Sequence, residues 1–276
     1  MNLKYKISEV SNILNIPTDT LRYLEAKDIV NPSKNDTNNY RFYEAWDINF
    51  LTEFKKFRSF DFSVSEVKEI LHSDDLNSFM EKINERQTYF EEKLKYYTLL
   101  KEKNEQYINS LNNIKSNIGK FSFTNSPEIY YFMHRFNYKY ETKYKFGGLF
   151  EIWLNYFPFI ETIVEMKFNS VINRKDHNDY EWGFSIRKDY AEAFNIPLND
   201  KITHIESKES LYTIICAGDK GSFSLKLLDN ALEFIEDNGY ELAGDVIGNL
   251  LARTHESNGY CRYIEVWIPI RKNYIF

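Results

Sequence analysis

Residues 79–118 contain neither proline nor glycine, and their apolar positions fall into one register. Ile83, Gln87, Phe90, Leu94, Tyr97, Lys101, Asn104, Ile108, Leu111, Lys115 and Ile118 follow one another in alternating steps of four and three. A helix sets such positions along one side, so the spacing predicts a coiled-coil seam. Forty helical residues at about 1.5 Å each make a rod of roughly 60 Å. A lone rod would expose that stripe to water, so something must cover it. The cover is either a second copy of the chain, paired through residues 80–118, or the chain's own C-terminal half. Pairing is the expectation taken forward, with the polar seam positions Gln87, Lys101, Asn104 and Lys115 limiting register and oligomer size. A rod of this length also separates what flanks it. The expected division is 1–75, 76–119 and 120–276.

Upstream, residues 5–75 carry the marks of short helices. Ile7, Val10 and Leu14 recur at helical spacing, Asn15-Ile16-Pro17 interrupts them, and Thr18 to Ala26 resumes with Leu21 and Leu24 on one side. Two short helices joined by a tight turn predict a helix-turn-helix. A polar stretch from Pro32 to Tyr40 then predicts a wing. Glu44 to Ser59 forms a third helix, and Ser63 with Glu66 forms a capping box that opens a fourth. The second helix of such a motif enters the DNA major groove. Its first turn offers Thr18, Asp19 and Thr20, followed by Arg22 and Tyr23, and the wing ends in Tyr40 and Arg41. Arginine supplies a fork for phosphate, and tyrosine supplies a flat body with a hydroxyl donor. Lys6 and Lys34 complete the candidate DNA-binding set. Arg22 pairing only with Glu25 or Glu9, and Tyr43 serving only as core, are the plainer readings of those residues.

Charge argues against a general polyanion binder. The formal net charge is −6, and residues 1–60 reach only parity, with nine Lys and Arg against eight Asp and Glu. Positive potential must therefore be focused on one face.

The order of these parts resembles the MerR (mercury-resistance regulator) family. It runs through an Ile-x-Glu-Val helix, a Thr-Leu-Arg-Tyr helix, a Pro-led wing ending in Tyr-Arg-x-Tyr, and a Phe-Ser-x-x-Glu-Val-x-x-Ile-Leu segment before a long dimerising helix. The likeness covers residues 5–118 and implies a dimer on double-stranded promoter DNA, acting on RNA polymerase indirectly. Leu24, Asp28 and Lys34 stand where the family usually has Tyr, Gly and Arg.

Residues 120–276 switch to strands with intervening helices. Ile129–His134, Tyr180–Ile186 and Tyr263–Ile270 read as strands, and Gly147-Gly148 opens a helix containing Trp153. A strand, Gly-marked turn, helix, strand unit occurs twice, the second time from Leu211 through Gly218/Gly221 and Leu225–Ile235 to Ala243. This pattern, with the closing Ile-Glu-Val-Trp-Ile-Pro-Ile, is similar to the gyrase-inhibitor-like effector-binding domain of multidrug-responsive regulators. The fold class expected is therefore α+β multidomain: a winged helix-turn-helix, a coiled-coil helix, and a pseudo-symmetric α+β effector domain.

The resemblance implies that the cleft between the halves binds a small organic effector. Aromatic walls suit a flat apolar or cationic molecule. Tyr130, Phe132, Trp153, Trp182, Phe184, Tyr263, Glu265 and Trp267 are the expected lining, with Glu265 first because it carries charge. Relatives place a Glu-x-Tyr pair where Gly248 and Leu250 stand, which weakens both a cationic ligand and a hydrolase, one of two alternatives. The other is a DNA binder with no ligand. No catalytic set, cofactor or metal site is expected: His72, His134, His177, His204 and His255 show no paired ligand spacing. Cys216 and Cys261 read as two thiols in a reducing cytoplasm. No signal peptide and no membrane span are expected.

Overall fold

A computed structural model of the chain describes residues 3–35, 40–136, 139–140, 148–173, 178–219, 222–257 and 259–273. The wing tip, Gly147, His177 and Gly221 lie outside them. The chain divides into two compact units, Met1–Tyr97 and Thr98–Phe276, described in turn.

The first unit begins with β1 (Tyr5–Lys6), α1 (Ile7–Leu14) and α2 (Thr18–Ala26). Asn15 closes α1 in the left-handed region, and Pro17 precedes α2, whose first turn needs no amide from it. β2 (Ser33–Lys34) and β3 (Arg41–Tyr43) form a three-stranded sheet with β1, in the order β1-β3-β2. α3 (Ala45–Ser59) and α4 (Val64–Leu71) follow. At α4 the Glu66 amide donates to the Ser63 hydroxyl, while the Ser63 amide donates to the Glu66 carboxylate. This is the reciprocal cap read from the sequence. Asp28 takes φ +54°, a conformation that favours glycine, and this is the position at which the family usually has one.

Val10, Leu21, Leu24, Leu51, Phe54, Phe57, Val67 and Ile70 make the core of this unit. Tyr43 is fully buried within it, so its plainer reading is the one observed. The start of α5 (Leu76–Asn117) packs here too, through Phe79 and Ile83. Each such aliphatic side chain contributes about 1.5–3 kcal/mol by leaving water.

In the second unit β4 (Ser122–Asn125), β5 (Ile129–Phe136), β6 (Lys139–Tyr140), β7 (Ile160–Met166), β8 (Glu181–Arg187), β9 (Thr203–Ile205), β10 (Glu209–Ala217), β11 (Tyr240–Leu242), β12 (Val246–Glu256) and β13 (Gly259–Lys272) join one antiparallel sheet. Its long path runs β4-β10-β13-β12-β7-β8-β5-β6. The order β10-β13-β12 is mirrored by β5-β8-β7, so the two halves expected from the repeated unit meet where β12 pairs with β7. Among the described residues, α6 (Leu149–Leu154), α7 (Phe168–Asn173), α8 (Lys188–Ala193) and α9 (Asp229–Asp237) are the α-helices after α5. The second-copy helix expected at Leu225–Ile235 opens as a 3-10 turn over Leu225–Leu228.

Strand alternation sorts the sheet into two faces. Val164, Val246, Ile264, Val266 and Ile268 pack with Leu225, Leu228, Ala231 and Ile235 of the 3-10 turn and α9. The opposite face takes the end of α5, with Ile114 on Ile214 and Leu251. Cys216 and Cys261 lie on the adjacent strands β10 and β13, with Cα atoms 6.0 Å apart, and are joined in a disulfide. The expectation of two thiols fails because a sequence separation of 45 residues hid their pairing across two strands. Among the described residues, no helix is long and apolar enough to cross a membrane.

Leu21→Ala is expected to lower the stability of the first unit by about 2–5 kcal/mol, through lost burial and a residual cavity. Ile13→Ala, at a position 55% exposed, stays within about 0.5 kcal/mol of the parent. Urea unfolding of both variants checks the contrast.

Candidate functional site

The proposed DNA face is laid out by α2 and the wing strands. Lys6, Asp19, Arg22, Tyr23, Lys34 and Tyr40 are exposed, and Thr18, Thr20 and Arg41 are half-buried. Arg22, Lys34 and Arg41 are already paired. Arg22 donates to Asp19 at 2.6 Å on the helix surface, rather than to Glu25 or Glu9. Such an exposed pair contributes roughly 0–1 kcal/mol, so a phosphate can replace Asp19 at little cost. Glu25 holds Lys34 at 2.7 Å and also Arg41. Burial pushes the Glu25 carboxyl up, but hydrogen bonds from Arg41 and Lys34 outweigh it and leave it below the usual range. The result ties α2 to both strands of the wing. Glu25 escaped the sequence reading because an acid does not announce itself in a DNA-binding surface.

In the second unit a cavity of about 710 Å³ lies between the end of α5 and the sheet. Leu100, Lys103, Tyr107 and Ser110 of α5 form one wall, and Glu161, Asn249, Glu265 and Trp267 of β7, β12 and β13 form the other. The Glu265 carboxylate accepts from Asn249 Nδ2 at 3.1 Å and from the Tyr212 hydroxyl at 3.3 Å. Burial and the neighbouring Glu161 carboxylate push its pKa up to about 7 against the pull of these hydrogen bonds and of Lys103. Burial and Glu265 in turn raise the Tyr212 hydroxyl. Tyr107 donates to the Leu251 carbonyl at 2.8 Å, pinning α5 across the cavity.

Only part of the expected lining meets here. Glu265 and Trp267 do. Tyr263 shares their strand face but packs with Ile114 and Ile214. Phe132, Trp153 and Phe184 form a separate aromatic cluster with Phe150, with Phe132 and Trp153 rings 5.0 Å apart. Trp182 packs on Phe223 beneath the α9 side, and Tyr130 stacks on His204. These five are not in the cavity lining: strand alternation turns Tyr130, Phe132, Trp182 and Phe184 elsewhere, and Trp153 packs on Phe132 from α6. A Cβ on Gly248 would meet Ile264 and Val164 at 3.0 Å, so the cavity-facing polar residue of β12 is the next one, Asn249.

Lys103, Tyr107, Glu161, Tyr212 and Asn249 were missed by sequence reasoning. Lys103 and Tyr107 lay inside a helix read only for its seam. Their spacing of four, continued by Ser110 and Ile114, was the available signal.

The first unit is a winged helix-turn-helix, and the second is a sheet domain with a cavity beside the end of α5. Residues 5–74 match the family of MerR HTH regulatory proteins. No curated protein matches the chain. Among solved structures, the chain is similar to a MerR-family transcriptional regulator from Bacillus cereus, with 18% identity and a TM-score of 0.36 over 40% of this chain and 84% of that one. It is also similar to EcmrR in its DNA complex, with 14% identity and a TM-score of 0.35 over 97% and 100%. A hydrolase from Listeria innocua gives 11% identity and a TM-score of 0.35 over 56% and 93%. At these scores the structural likenesses carry no functional weight.

The raised Glu265 pKa fixes a pH dependence. Its stability contribution is fully present below the ordinary value of 4.5 and is lost as pH rises through about 7. Glu265→Gln should therefore gain on the parent across that window by on the order of 1–3 kcal/mol. Thermal melts at both ends of the window check the sign. A parent that gains on the variant with rising pH contradicts it.

Proposed function

We propose that the protein is a homodimeric, ligand-responsive transcription regulator. Two winged domains grip the half-sites of a pseudo-palindromic promoter, and a small organic molecule in the sheet-domain cavity shifts the DNA toward a shape that RNA polymerase uses. The observation that carries this reading is α5 itself: its start lies in the core of a MerR-type domain, and its end is a wall of the cavity. Ligand and DNA domain thus share one continuous helix.

Dimerisation is supported by the middle of the seam. Leu94 is 70% exposed, Tyr97 58% and Ile108 46%. The sheet takes the later turns of the helix, through Lys103, Tyr107, Leu111 and Ile114. The stripe running through Lys103, Tyr107, Ser110 and Ile114 is offset by one residue from the seam positions Asn104, Ile108, Leu111 and Lys115, about 100° around a helix. One face serves the chain's own sheet, which also takes the seam's Leu111, and the exposed Tyr97 and Ile108 lie on the other, available to a second copy.

Trp267 and Glu265 in the cavity favour an aromatic effector, cationic forms included. Differential affinity of that effector for the two DNA shapes must supply the coupling. Distorting a promoter costs a few kcal/mol, within the reach of such a ligand. The family match favours a regulator over the hydrolase alternative, and a promoter-bound protein of this kind works in the cytoplasm.

Arg22→Ala is expected to weaken binding by about tenfold to a duplex selected from a random pool by the full-length protein. It should also reduce the salt slope by about one phosphate per half-site. Fluorescence anisotropy across a salt series reads both quantities. An unchanged affinity and slope would remove α2 from the interface.

A further inference from the structure

Lys103 is the one basic residue that α5 contributes to the cavity wall among the described lining. Its side chain is only 11% exposed, it is ion-paired to Glu161, and its ammonium lies 5.8 Å from the centre of the Tyr190 ring. A carboxylate facing an aromatic ring is what a protein builds to hold a quaternary or aromatic cation. Here that box is filled from within the chain. Tyr190 also donates to Gln106 of α5 at 3.3 Å, so the box lies directly under the helix. The other charged groups of the cavity are Glu265, bonded to Asn249 and Tyr212, and Arg187, which pairs with Asp189 and lies 5.9 Å from the centre of the same Tyr190 ring. Glu161 is therefore the carboxylate whose partner is a flexible side chain able to leave.

We propose that Lys103 is a tethered occupant of the ligand cavity, which a cationic aromatic effector displaces from Glu161 and Tyr190. Displacement releases an ion pair that holds α5 to β7, so occupancy is read by the helix at the point of binding. Two like charges in a cavity of about 710 Å³ repel, and a lysine head on a four-carbon stem reaches water by a rotamer change. This inference rests on the cavity being the effector site, and the test separates the two.

Full-length protein is titrated with the fluorescent cation N-methylacridinium and with its uncharged analogue acridine at pH 8. Lys103→Met is expected to bind the cation about tenfold more tightly than the parent, with acridine affinity within about twofold. Lys103→Arg, which keeps the charge, holds the parent's cation affinity, and Glu161→Gln abolishes the gain when added to Lys103→Met. Hydrogen exchange over residues 98–110 rises when the cation is added to the parent, whereas in Lys103→Met it is high from the outset. Equal cation affinity in parent and Lys103→Met overturns the displacement proposal and leaves the effector site standing. Failure of every variant to bind either compound overturns both.

Discussion

A single helix with different obligations along its length is the constraint on which this protein depends. The first turns of α5 insert Phe79 and Ile83 into the winged-domain core. A turn later Arg86 sits over the rings of Phe62 and Tyr89 while pairing with Glu66 at 2.7 Å. The final turns press Ile114 onto the sheet. Helical periodicity lets one segment present a second stripe beside the one it buries, and the exposed Leu94, Tyr97 and Ile108 lie on that stripe. Absence of proline and glycine across 79–118 is what keeps the segment continuous through these changes of partner.

Electrostatics follow the same economy. A chain of net charge −6 cannot rely on bulk attraction to DNA, so its bases must be placed. Glu25 places two of them by holding Lys34 and Arg41, while Arg22 rests on an exposed partner that is easily exchanged. In the second unit, Glu161 pairs with Lys103 in a confined space, while Glu265 accepts hydrogen bonds from Asn249 and Tyr212.

Much of the first unit was legible because its signals are local. Helix breaks at Asn15 and Pro17, the Ser63–Glu66 cap and the heptad steps each depend on residues a few positions apart. The second unit was legible as a repeated pattern, and its mirrored strand order fits that pattern. Its site was not. Which stripe of a strand faces a cavity is decided by pairing between strands distant in sequence. That is why Glu265 and Trp267 line the cavity while Phe132 and Trp182, expected beside them, pack elsewhere. The link between Cys216 and Cys261 was hidden for the same reason. Asn249 stood one residue from the position compared with relatives, and only the register of β12 against β13 puts it opposite Glu265.

Whether two chains share one duplex is the most direct test of this account. Native mass spectrometry of the full-length protein with a duplex carrying two half-sites gives the answer as a mass. The account predicts two chains per duplex at micromolar protein, with the same two-chain species present before DNA is added. One chain per duplex, with free protein at the mass of a single subunit, would contradict it.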